Sequence, residues 1–83
     1  MANLARLERS LRAAGDDFRR AVRLAPADCP AALQAFTRGR RRWRAAARAY
    51  SQAPRFNAAL DRAHGRALVQ AYEAQDILKR CRR

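Results

Sequence analysis

Three prolines, Pro26, Pro30 and Pro54, cut this chain into three alanine-rich segments built from strong helix formers. Proline lacks the backbone N–H and its ring collides with the preceding turn, so a helix stops near it unless it falls in the first turn. Residues that favour strands are scarce, because β-branched side chains are confined to Val22, Thr37, Val69 and Ile77. The expected fold class is all-α: one helical domain over 1–83, with helices at 3–24, 29–51 and 55–81.

In the first segment Leu4, Leu7, Leu11, Ala14, Phe18, Val22 and Ala25 recur at steps of three and four, a near-heptad stripe on one helix face. Asn3 is a suitable N-cap. Gly15 with Asp16 and Asp17 could break the helix, but the stripe keeps its phase across the glycine, which favours one continuous helix. Asp28 is placed to cap the second helix, with Pro30 tolerated in its first turn. Its stripe runs through Cys29, Leu33, Phe36, Trp43, Ala47 and Tyr50, with a fault where Arg40 stands beside Gly39. Ser51 to Pro54 signals a turn. Beyond it Phe56, Leu60, Ala63, Ala67, Ala71, Ala74, Leu78 and Cys81 share a face that Leu68, Tyr72 and Ile77 broaden. The short link predicts that helices two and three form an antiparallel hairpin.

A chain of 83 residues buries little surface, so self-association or a partner protein is the expected supplement to its core. Two cysteines are too few for a disulfide scaffold, and His64 is the lone histidine, so neither a metal site nor a cofactor is expected. The opening residues lack the unbroken apolar stretch of a secretory signal, and no run is long enough to span a bilayer. The reading that follows is cytoplasmic, with Cys29 and Cys81 as reduced, small apolar residues, although their positions about the turn would also allow a disulfide. Asp16 and Asp17 are neighbours that point apart on a helix, and no nucleophile, base and orienter fall together. An enzyme is not expected.

Two kinds of binding surface remain. Net charge is +12, and every basic residue except Lys79 is arginine, whose fork matches phosphate and carboxylate. Arg38, Arg40, Arg41, Arg42, Arg44 and Arg48 crowd one helix in a stretch with no acid between Asp28 and Asp61. These six are candidate nucleic-acid contacts, set against the plainer role of a solvated face. Trp43, Tyr50 and Phe56 interleave with them, but the first two fall on the apolar stripe and are expected in the core. The other candidate surface is apolar: Leu4, Leu7, Leu11 and Phe18 of helix one with Leu60, Leu68 and Leu78 of helix three, presented to a protein partner or a second copy.

The opening Met1-Ala2-Asn3-Leu4-Ala5-Arg6-Leu7-Glu8-Arg9-Ser10-Leu11 resembles the start of the small needle-subunit co-chaperones of bacterial type III secretion systems. Pro54-Arg55-Phe56-Asn57, Arg66-Ala67-Leu68-Val69-Gln70-Ala71 and Ile77-Leu78 are similar to that family's last helix. The resemblance implies a cytoplasmic helical protein that supports a helical-repeat chaperone while the chaperone shields an aggregation-prone needle subunit. Its partner face would then lie among Leu4, Leu7, Leu11 and the Leu60–Leu78 stripe. The +12 charge and the arginine-packed middle depart from what the resemblance implies.

Overall fold

A computed structural model describes residues 4–52 and 57–82. Three helices follow one another among these residues, α1 over Leu4–Leu24, α2 over Cys29–Ser51 and α3 over Ala58–Leu78, and a 3-10 turn over Lys79–Arg82 follows α3. The expected all-α, three-helix arrangement is what forms, as a rod of 42 × 17 × 16 Å.

Local chemistry sets the helix ends. The Asp28 carboxylate accepts from the Ala31 N–H at 3.0 Å, and Pro30 sits in the first turn of α2 where its missing donor is not needed. Asn57 does the same for α3, accepting from the Leu60 N–H at 2.9 Å. Because Asn57 caps, the third helix starts at Ala58, later than the proline-based expectation of 55. The proposed Asn3 cap and the turn residues Ala53 to Phe56 lie outside the described residues. Gly15 does not interrupt α1; it is buried, and the Gln70 side chain of α3 packs over it.

The core forms because α1 lies against both other helices. Its contact with α2 is the most extensive, that with α3 is next, and α2 and α3 touch each other least. One cluster joins Ala14, Phe18 and Ala21 to Ala32, Ala35 and Phe36 and to Ala74 and Leu78. A second joins Leu11, Ala46 and Leu60 nearer the other end. The Phe18 and Phe36 rings meet at 5.5 Å and a tilted angle, a favourable aromatic arrangement. Leu11, Phe18, Leu60 and Leu78 are at most 1% exposed, and each such burial stabilises the fold by roughly 1.5–3 kcal/mol.

Three expectations need correction. The fault at Arg40 is absent from the buried face, which passes through Gly39 while Arg40 turns outward over the Phe36 ring at 5.9 Å. Glycine is needed there because a Cβ would stand 2.8 Å from a Phe18 ring carbon. In α1 the buried face takes Ala21, with Val22 only half-buried, since two neighbours cover a wider arc than one stripe. Finally, Cys29 and Cys81 are not separate thiols. They form a disulfide, with Cα atoms 5.4 Å apart, tying the start of α2 to the turn after α3.

Candidate functional site

Four of the seven leucine and phenylalanine positions assigned to a partner are occupied by the molecule itself. Leu11, Phe18, Leu60 and Leu78 fill the interior. Leu4 is exposed, and Leu7 is half-buried beside a shallow groove between α1 and α2 that Arg9, Ala13, Arg42 and Ala49 also line. Leu68 is half-buried on α3. These three do not form one continuous surface with the other four.

What α3 does present is a different strip. Val69 is 57% exposed and Tyr72 is 64% exposed, one turn apart, and Ile77 is also exposed nearer the C-terminal end. Gly65 lies one turn before Val69, and apart from its own helix backbone and chain neighbours no atom of the described residues comes within 4 Å of where its side chain would project. Arg62, Gly65, Val69, Tyr72 and Asp76 therefore follow one another at steps of three and four, on the side of α3 opposite Leu60, Ala67, Ala74 and Leu78. Tyr72, expected to broaden the core stripe, instead faces outward, and Val69 joins it there. The signal that marks both is this outer spacing, which runs half a turn out of phase with the buried one.

All six candidate nucleic-acid arginines of α2 are exposed. They differ in partners. Arg42 donates to the Asp17 carboxylate of α1 at 3.1 Å, and Arg40 covers Phe36. The guanidinium groups of Arg38, Arg41, Arg44 and Arg48 make no ion pair or hydrogen bond among the described residues. Arg41, Arg44 and Arg48, spaced three and four apart, project from one outward face of α2. Asp17, only 8% exposed, is a buried acid that sequence periodicity gave no reason to place inside.

A small aromatic group sits where α2 ends and α3 begins. His64 lies between Trp43, at 5.1 Å, and Tyr50, at 5.7 Å, and all three are half-buried. Tyr50 donates its hydroxyl proton to Asp61 at 3.3 Å. Partial burial, with the charge and hydrogen bond of Asp61 adding to it, raises the Tyr50 phenol above its ordinary value of 10.0. The Trp43 indole N–H is buried and has no acceptor among the described residues. This group is packing with a polar edge. Phe56 lies outside the described residues.

Asp16, one of the two acids considered for a dyad, is exposed and pairs with Arg19. Among the described residues no group of three or more histidine, cysteine or acidic side chains is placed to hold a metal ion. Among them, too, no helix is long and apolar enough to cross a membrane. No family model matches the chain, and neither a curated protein nor a solved structure does.

Proposed function

We propose that this chain is a small helical interaction protein that works by holding a protein partner against the outer face of α3. The observation that supports this reading is the pairing of Val69 and Tyr72, each more than half exposed and one turn apart. Scattered apolar side chains are ordinary on a surface, whereas large ones adjacent on one helix face offer a protein partner an apolar patch to cover. The resemblance to needle-subunit co-chaperones supplies a setting, type III secretion, and a partner, a helical-repeat chaperone. This reading keeps the chain in the cytoplasm, where the Cys29–Cys81 bond is open to reduction. It replaces the interior residues Leu11, Phe18, Leu60 and Leu78 as contacts with Val69 and Tyr72, and retains Leu68 and the exposed Leu4 edge.

Affinity purification of the tagged chain from its host, beside a Val69→Glu/Tyr72→Glu variant, tests the reading. Loss of co-purifying protein in the variant, with its helix content unchanged by circular dichroism, is the expected result. The same proteins retained by both forms would overturn it.

A second reading has its own observation. Arg38, Arg41, Arg44 and Arg48 are exposed on a helix without an acid, and their guanidinium groups make no ion pair among the described residues, a surface suited to a phosphate backbone. It makes the chain a nucleic-acid-binding protein that recognises charge spacing without base readout.

A further inference from the structure

The outer face of α3 has an internal symmetry that names its occupant. Seven residues before Val69 stands Arg62, and seven after it stands Asp76. Gly65 lies four before Val69, while Tyr72 lies three after. On the flank of the same face Arg66 lies three before and Glu73 four after. Reversing the direction of the helix exchanges base for acid and the empty notch for the aromatic ring.

From this we infer that the face binds a second copy of the chain, two α3 helices packing antiparallel about Val69. The inference rests on the reading that this face binds protein, and it specifies the partner. In an antiparallel two-fold pair each flank meets the same flank of its mate, so residues on one flank at nearly equal distances either side of the centre, three against four, come together. Arg62 then faces Asp76 of the second copy, Arg66 faces Glu73, and the Tyr72 ring lies over the bare backbone at Gly65. All of these residues are available. Arg62, Arg66, Glu73 and Asp76 are exposed, and the ion pair of Asp76 with Lys79 joins two side chains about three-quarters exposed. Such a surface pair is weak and readily exchanged.

Charge also selects this face over the others. The whole chain carries +12, so two copies repel wherever their arginine-rich surfaces approach. Across Arg62, Arg66, Glu73 and Asp76 the charge sums to zero, around an apolar centre. A parallel pairing would set Arg62 against Arg62 and Asp76 against Asp76, which like-charge repulsion disfavours.

Sedimentation equilibrium of the full chain over a concentration series tests the inference. The wild type is expected to dimerise, and Val69→Glu to raise the dissociation constant at least about tenfold, equivalent to ~1.4 kcal/mol. Arg62→Asp and Asp76→Arg are each expected to weaken the dimer by roughly tenfold, and the double variant to restore it to within a few-fold. Rescue by the double variant is specific to the antiparallel arrangement and does not depend on Val69→Glu remaining folded. A wild type that stays monomeric throughout the series overturns the inference, as does a dimer indifferent to Val69→Glu and to both charge reversals. Neither result touches binding of another protein at this face, which the purification experiment reads separately.

Discussion

Arg42 of α2 reaches across to Asp17 of α1 and donates to its carboxylate at 3.1 Å, so one of the six arginines on the basic helix is engaged in holding two helices together. The acid is mostly enclosed, while the guanidinium keeps about half of its surface in water. Removing Arg42 strands a buried carboxylate, but solvent near the pair softens the cost. Arg42→Ala is expected to destabilise the fold by about 1–2 kcal/mol, lowering the melting temperature by roughly 4–8 °C per kcal/mol. A double-mutant cycle with Asp17→Ala should return a coupling of ~1 kcal/mol. Additive single effects would mean that the pair does not form in solution.

Gly39 and Gly65 should respond in opposite directions to the same change. A Cβ at Gly39 meets the Phe18 ring at 2.8 Å and Asp17 at 3.1 Å, whereas at Gly65 it meets no side chain or neighbouring helix among the described residues. Gly39→Ala is therefore expected to cost ~1–3 kcal/mol through overpacking, outweighing the helix propensity it gains. Gly65→Ala keeps the propensity gain and should stabilise the monomer by up to ~1 kcal/mol. Urea unfolding in dilute solution measures both, and equal shifts for the two variants would contradict the packing described at Gly39.

Much of the fold was legible in the residues because helix ends are local events. Asp28 and Pro30 announce the start of α2 whatever packs on it, and three alanine-rich segments admit few alternatives to a three-helix arrangement. What stayed hidden depends on contacts made far along the chain. Periodicity tells that Leu11, Phe18, Leu60 and Leu78 are covered, but not by what, so a stripe that packs internally reads the same as one offered to a partner. Asp17 could not be placed inside without Arg42, which is 25 residues away. Gly39 and Arg40 compete for one stripe position, and only the approach of Phe18 decides for the glycine. The surface strip at Val69 and Tyr72 is hard to read in the residues because the buried phase of α3 carries more apolar side chains and draws Tyr72 into its stripe.

The disulfide between Cys29 and Cys81 encloses most of α2 and all of α3, with a sequence separation of 52 residues. Cross-linking a loop of that size restricts the unfolded chain, and the chain-entropy account puts the stabilisation at about 4 kcal/mol. For a chain of 83 residues that is a large share of total stability. Cys81→Ser, or reduction with dithiothreitol, is expected to lower the unfolding free energy by this amount without removing the helices at low denaturant. Identical urea transitions with and without reductant would show that the bond is absent or that it constrains nothing.

Tyr50 offers a spectroscopic check on the join between α2 and α3. Its phenol is raised by partial burial first and then by the Asp61 carboxylate, so it should ionise above 10.0. Because the folded value exceeds the unfolded one, this interaction supports the fold below the ordinary phenol value, and its contribution fades as pH rises through the raised one. Ultraviolet titration in a Tyr72→Phe background isolates the signal. Asp61→Asn should bring the Tyr50 midpoint down toward 10.0 without reaching it, since burial remains. A midpoint unmoved by Asp61→Asn would place the two groups apart.

The arginines of α2 make the last prediction quantitative. Each phosphate neutralised releases counterions, and for duplex DNA the affinity falls with log salt by a slope of about 0.9 per contact. Arg41, Arg44 and Arg48 share one outward face and make no ion pair or hydrogen bond among the described residues, so each is available for a phosphate. If that face carries the binding, Arg41→Gln/Arg44→Gln/Arg48→Gln should reduce the slope by roughly 3 and weaken binding uniformly across sequences. Arg42→Gln should change the slope less, because its guanidinium is already drawn to Asp17. Fluorescence anisotropy with labelled duplexes and single strands of several sequences, from ~50 mM salt upward, supplies both readouts. A wild type that binds neither duplex nor single-stranded nucleic acid at the lowest salt would eliminate the nucleic-acid reading and leave the arginine face as a solvated surface. An Arg42 variant matching the triple variant would instead move the contact from the outer face of α2 to the groove between α1 and α2.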